Sequence, residues 1–220
     1  MGRHAEALPV GDGQSFGWEG VEHLGAAGGA FLLRTPAGSV PIRIQLQGEH
    51  QIRNAALAAA LALRLGSDPG QVARGLGSVV PEPGRGRLHA LPGGGTLLDE
   101  TYNASSDSIL ACARALLQLP GGEAVAVLGS MRELGPDAPR IHQETGRALK
   151  EIGLSRLWAY GDFAEDCRAG FGLRAMAFPD FESLRDDAAG LSAIPPGARI
   201  LVKGSRFWRA ERVVDWLLAH

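Results

Sequence analysis

Beyond residue 87 the chain repeats one pattern. Short continuous apolar runs lie at Thr96–Asp99, Ala124–Leu128, Leu157–Tyr160, Ala175–Phe178 and Ile200–Val202. The stretches between and after them, at 105–118, 139–152, 162–170, 180–190 and 208–219, have the character of helices. Short buried-type strands alternating with helices predict an α/β fold, a mostly parallel sheet with helices on both faces.

The earlier part of the chain reads differently. Residues 1–47 are glycine-rich, and Phe31–Leu33 and Val40–Leu46 flank the turn residues Thr35, Pro36, Ala37 and Gly38, as in a hairpin or meander. Such a hairpin is marginal alone and needs something to pack on. An alanine-rich helix is predicted over Asn54–Leu65, stopped by Gly66, with a second over Pro69–Leu76. The segment PEPGRGR, 81–87, combines prolines with glycines as linkers do, which predicts two domains, 1–82 and 83–220.

Composition narrows the class. With 220 residues, 45% hydrophobic, 21% charged and a net charge of −2, the chain fits soluble globular domains and lacks the basic excess of a nucleic-acid binder. No apolar run approaches the ~20 residues of a membrane span. The N-terminus MGRHAEALPVGDGQ shows no hydrophobic signal core, so the expected compartment is the cytoplasm. Cys112 and Cys167 lie far apart in helical segments without metal-ligand spacing, which predicts buried thiols and no metal site.

In such sheets ligands gather at the carboxyl ends of strands, here DETYNAS (99–105), GSMRELG (129–135), GDF (161–163) and KGSR (203–206). Asp99 at a strand end suits ribose hydroxyls or a metal. Ser105 or Ser106 with Asp107 reads equally well as a helix cap, but neither Tyr102 nor Asn103 is needed for one. Gly129 before Arg132 and Glu133 is a weak phosphate signal, and His142 reads as a surface or capping residue. Lys203 is one of two lysines among 22 basic residues; with Ser205 and Arg206 it suits a carboxylate or phosphate, the alternative being solvated charges on a turn. His50 and Asn54, four apart at a helix start, suit a nucleotide or a purely structural role. Arg85 and Arg87 suit phosphates or solvent equally. The sequence has no G-x-x-x-x-G-K-[ST], no H-E-x-x-H and no C-x-x-C.

The segments GEHQIRNAALAAALAL, PGRGR, LLDETYNASSDSI, AVLGSMRELG with a histidine shortly after, and LVKGSR follow one another in an order and spacing that resembles the Mur ligases. The resemblance is to the branch that adds D-alanyl-D-alanine to UDP-N-acetylmuramoyl-tripeptide in peptidoglycan precursor synthesis. It implies that 1–82 is the tail of a central ATPase domain and 83–220 a Rossmann-like dipeptide-binding domain. The UDP-binding domain, the phosphate-cradling loop, the acidic Mg²⁺ ligand and a modified lysine are then expected upstream of Met1. It further implies that ATP converts the tripeptide carboxylate to an acyl phosphate, which the dipeptide amine attacks. Carried over by motif, His50, Asn54, Arg85 and Asp99 would bind ATP. Tyr102, Asn103, Lys203, Ser205 and Arg206 would bind substrate, and no catalytic residue or metal ligand is carried over. Gln51, Glu100 and Ser106 depart from the family's usual asparagine, aspartate and proline.

The isolated chain is expected to be inactive. The alternatives are a free-standing, non-catalytic module that binds a small ligand and one chain of a split ligase. Both the incomplete-domain and split readings predict exposed apolar surface on residues 1–80.

Overall fold

The computed structural model describes Val10 and residues 15–220; the rest of the N-terminal stretch read for a signal core lies outside the described residues. The chain forms two compact units, one ending at Val80 and the other spanning Pro81–His220.

In the first unit, β1 (Gly17–His23), β2 (Gly29–Thr35) and β3 (Gly38–Ile44) form an antiparallel sheet in the order β1-β2-β3. The hairpin falls where the sequence puts it. The Thr35 hydroxyl accepts from the Ala37 N–H and donates to the Gly38 carbonyl, closing the turn with Thr35 opposite Gly38. β1 was not legible: its burial pattern is mostly exposed, so it lacks an apolar run.

Helix α1 (Glu49–Arg64) starts five residues before the predicted Asn54, because Gly48 (φ 90°) makes the turn into it. Ile52, Ala55, Ala56 and Ala59 pack on Phe31, Leu33, Ile42 and Ile44 of the sheet. Leu57, Leu61 and Leu65, spaced four apart, are 43%, 56% and 78% exposed, so α1 carries a second apolar stripe that this unit leaves open. α2 (Pro69–Gly77) is capped by Asp68, whose carboxylate accepts from the Gln71 N–H.

The second unit is a six-stranded sheet of β4 (Arg87–Ala90), β5 (Thr96–Glu100), β6 (Ala124–Gly129), β7 (Arg156–Tyr160), β8 (Ala175–Phe178) and β9 (Arg199–Lys203). Their order is β4-β5-β9-β6-β7-β8; only the β4–β5 pair is antiparallel. Alternation along each strand builds two cores. Leu98, Ala126, Leu128, Leu157, Ala159 and Leu201 meet α3 (Ser106–Gln118), α4 (Ala138–Glu151) and α5 (Ala164–Phe171). Leu97, Val125, Val127, Trp158, Ile200 and Val202 meet α6 (Phe181–Asp186) and α7 (Glu211–Ala219). The predicted sheet with helices on both faces is the one observed.

Three local expectations change. Arg87, the last residue of the segment 81–87 read as a linker, begins strand β4, which pairs back on β5 through the PGGG turn. The helix predicted over 180–190 ends at Asp186, because Asp187 is extended and Gly190 returns so close to α6 that a Cβ there would lie 1.9 Å from the Leu184 carbonyl oxygen. The last helix starts at Glu211 rather than 208, since Arg206–Trp208 is a 3-10 turn ended by left-handed Arg209 (φ 49°). Among the described residues no helix is long and apolar enough to cross a membrane.

Candidate functional site

Strand order decides which strand ends meet. β9, the last strand in sequence, lies between β5 and β6, so Glu100, Lys203 and Leu128 are register neighbours at the carboxyl edge. A strand-order break of this kind leaves a crevice in which open α/β sheets bind ligands.

Asp99 and Glu100 are adjacent on β5 and therefore face opposite sides of the sheet. The Asp99 carboxylate is buried and fully engaged: Oδ2 accepts from the Gly84 N–H at 2.9 Å, and Oδ1 from the Thr101 hydroxyl at 2.7 Å and the Thr101 N–H at 3.2 Å. The His89 imidazole Nε2 lies 4.0 Å from Oδ2. The Gly84 carbonyl accepts from the Tyr102 N–H, and the Gly86 N–H donates to the Asp99 carbonyl. The P-G-R-G turn is thus stitched to the end of β5. Glycine is required at 84, because φ is 76° and a Cβ would lie 3.0 Å from both the Thr101 hydroxyl and the Tyr102 nitrogen.

This stitching sets Arg85 over the Tyr102 ring, 3.6 Å from its centroid, with Arg206 on the same ring at 5.7 Å. Tyr102 remains 46% exposed. Beside the stack opens a cleft of about 360 Å³ lined by Arg87, His89, Asp99, Thr101, Tyr102 and Arg206, with Glu211 and Asp215 of α7 on its other wall. Its size is that of a small-ligand pocket, and its lining offers guanidinium donors, carboxylates and one aromatic face.

On the other face, Lys203 Nζ lies 3.6 Å from Glu100 Oε2 and 3.4 Å from the Glu100 carbonyl oxygen. Burial pushes the Glu100 carboxyl above the usual carboxylate range; Lys203 and a hydrogen bond from Cys112 oppose that shift. The Cys112 thiol is itself pushed up to about 12, by burial first and the neighbouring Glu100 next.

The carried-over residues separate into groups. Asp99, Tyr102 and Arg206 line the cleft, and Arg85 stacks on its edge. Lys203 and Ser205 are buried, at 4% exposure each, and the Ser205 Oγ has no hydrogen-bond partner. Asn103 is exposed, its side-chain oxygen accepting from the Ala104 N–H. His50 and Asn54 lie on α1 of the first unit, His50 half-buried and Asn54 exposed with its amide on Gln51 at 3.3 Å.

Residues 84–206 match the family description "Mur ligase, glutamate ligase domain". The chain belongs to the Mur ligase family. The UDP-N-acetylmuramoyl-tripeptide–D-alanyl-D-alanine ligase of Escherichia coli K12 is 35% identical over 192 residues, 87% of this chain and 42% of that protein. The ligase of the same description from Mycobacterium tuberculosis H37Rv is 37% identical over 220 residues, covering 86% and 42%. A crystal structure of MurF from Acinetobacter baumannii superposes with a TM-score of 0.85 at 32% identity over 96% of this chain and 46% of that one. MurF from Thermotoga maritima in complex with ADP, at 24% identity and a TM-score of 0.77, shares the fold. The chain therefore spans less than half the length of the Mur ligases it matches.

Within this Mur ligase chain the sequence reading missed Thr101, His89 and the acidic wall of α7 as parts of the cleft. Thr101 sits inside the DETYNAS motif and was legible as a hydroxyl two residues after Asp99. His89, Glu211 and Asp215 carry no local signal, since only the β4–β5 pairing and the packing of α7 bring them there. The capping role of Ser105 is real: its Oγ accepts from the Ser108 N–H, and Ser108 answers the Ser105 N–H. His142, read as a surface or capping residue, is instead buried at 3% exposure.

Proposed function

We propose that the chain supplies the incoming-amine side of an ATP-dependent ligase that adds D-alanyl-D-alanine to UDP-N-acetylmuramoyl-tripeptide. The observation that carries this reading is the Arg85–Tyr102–Arg206 stack beside the cleft. Two guanidiniums on one ring suit a carboxylate- or phosphate-bearing ligand, because each presents planar paired donors. When bound, ATP with Mg²⁺ would supply the phosphoryl group that activates the tripeptide carboxylate, with ADP leaving, and the residues here bind and orient. Arg206 and Tyr102 hold the dipeptide, Lys203 and Ser205 shape the strand end beneath them, and Asn103 lies at the rim. Arg85 faces phosphate, Asp99 fixes the turn that carries Arg85, and His50 and Asn54 serve the nucleotide from α1. The remaining part of the ligase supplies the phosphate-cradling loop, the metal ligands and the UDP-sugar site, and packs on the open Leu57–Leu61–Leu65 stripe. A substrate of this kind, nucleotide-linked and water-soluble, places the reaction in the cytoplasm.

The test is ligation by the complete enzyme. Arg206→Ala and Tyr102→Ala raise the KM for D-alanyl-D-alanine about tenfold or more, as the loss of a charged or stacked contact does, with the KM for ATP little changed. Unaltered dipeptide KM in both variants refutes the assignment. The 220-residue chain alone releases no ADP when given ATP, Mg²⁺, the tripeptide and the dipeptide; ATP-dependent ligation by it overturns the claim that it needs the rest of the enzyme.

A further inference from the structure

His142 sits on α4, the helix that follows the strand-end loop, and its ring reaches back to that loop. Its Nε2 is 2.8 Å from the Met131 backbone nitrogen and its Nδ1 is 2.7 Å from the Ala138 carbonyl oxygen. The chemistry of the partners fixes the ring. A carbonyl only accepts, so Nδ1 carries the proton; a backbone N–H only donates, so Nε2 offers its lone pair. Only the neutral Nδ1–H imidazole makes both bonds, and a second proton on Nε2 would point at the Met131 N–H.

The loop so held is the one after β6. Ser130 is bolted to β7, its N–H donating to the Tyr160 carbonyl oxygen at 2.9 Å, and its Oγ accepts from the Phe163 N–H at 3.0 Å. Met131, 1% exposed, is next, and Arg132 leaves the loop immediately after it. Arg132 stands 4.3 Å over the exposed Phe207 ring and 3.0 Å from Asp162. Glu133 then takes left-handed backbone (φ 64°), a conformation that needs fixed surroundings in a non-glycine residue.

We propose that His142 is a positioning residue: in its neutral form it clamps the Met131 N–H and so aims Arg132 at the carboxyl edge of the sheet, and on protonation it releases this loop. The groups around the ring oppose charge. Burial holds the imidazole below its ordinary value, and it outweighs the Ala138 carbonyl and the Asp166 carboxylate of α5, which favour the cation. Phe163 stacks on the ring at 4.9 Å, and the Cys167 thiol, pushed up to about 12 by burial, stays uncharged. From α3 and β7, Ile109 and Ala159 line the small cavity that the ring also lines. Among the described residues no carboxylate hydrogen-bonds the ring, so protonation leaves the Met131 N–H without its acceptor and the new Nε2–H without one.

The experiment is amide exchange on the full chain, read at Met131, Arg132 and Glu133 and corrected for the intrinsic pH dependence. Between about pH 7.5 and 5.5, protection at these amides falls about tenfold in the wild type as the cation gains population. His142→Gln presents an oxygen acceptor and an amide donor but does not titrate, and it keeps protection independent of pH; His142→Phe lacks it throughout. Protection in the wild type that does not change over this range overturns the proposal, as does an equal fall in His142→Gln. The ¹⁵N shifts of the wild-type imidazole give a reading that needs no variant: a neutral Nδ1–H tautomer supports the clamp, and an Nε2–H tautomer refutes it.

Discussion

Glu100 and Lys203 face each other as register partners on adjacent parallel strands, Nζ 3.6 Å from Oε2, with side chains only 12% and 5% exposed. Deleting one member of a buried pair leaves the other charge uncompensated, which typically costs about 3–5 kcal/mol. Lys203→Met is expected to lose stability in that range in urea at neutral pH. Burial already makes the Glu100 carboxyl bind its proton more readily when folded than when unfolded, and removing Lys203 strengthens that tendency. A raised carboxyl pKa favours folding as pH falls, so the variant's deficit should be largest near neutrality and narrow on acidification towards the ordinary carboxyl value of 4.5. A deficit that widens on acidification would contradict the assigned roles.

Asp99 organises backbone through three hydrogen bonds, to Gly84, Thr101 N–H and Thr101 hydroxyl. Asp99→Asn replaces one acceptor oxygen by a donor, which must face an N–H or a hydroxyl. The expected loss is about 1–3 kcal/mol for the unsatisfied group. Chemical denaturation of Asp99→Asn, Thr101→Val and the double variant should show coupling, the double losing less than the sum, because both singles break the same contact.

Tyr102 carries two guanidiniums on an exposed ring. Tyr102→Phe keeps the stack and should leave stability and ligand affinity near wild type. Tyr102→Ala should cost the fold only about 0.5–1 kcal/mol, as exposed cation–π contacts do, while calorimetry of the complete ligase shows clearly weaker dipeptide binding. Equal binding by the alanine variant would remove Tyr102 from the site.

Helices α4 and α5 touch through glycine. A Cβ at Gly146 would lie 2.1 Å from the Cys167 carbonyl oxygen, and one at Gly170 only 1.9 Å from that of Gln143. Gly146→Ala and Gly170→Ala must therefore push the two helices apart, at about 1–3 kcal/mol or more each for overpacking. Thermal melts of the chain should show both variants well below wild type. Gly75→Ala, in α2 with open space around its Cβ, serves as the contrast and should be neutral or stabilising.

The sequence by itself determined the repeating units. Continuous apolar runs such as Ala124–Leu128 and helical stretches such as 139–152 are local properties, and strand–helix alternation admits few arrangements other than a parallel sheet with helices on both faces. It also placed Asp99, Tyr102, Lys203 and Arg206 at strand ends. Which ends adjoin was decided only in three dimensions: inserting β9 between β5 and β6 brings Lys203 to Glu100 across 103 residues of chain. The same holds for α7, whose Glu211 and Asp215 reach the cleft from the far end of the chain. Both depend on non-local packing, and no periodicity within a single segment records the partner it will meet.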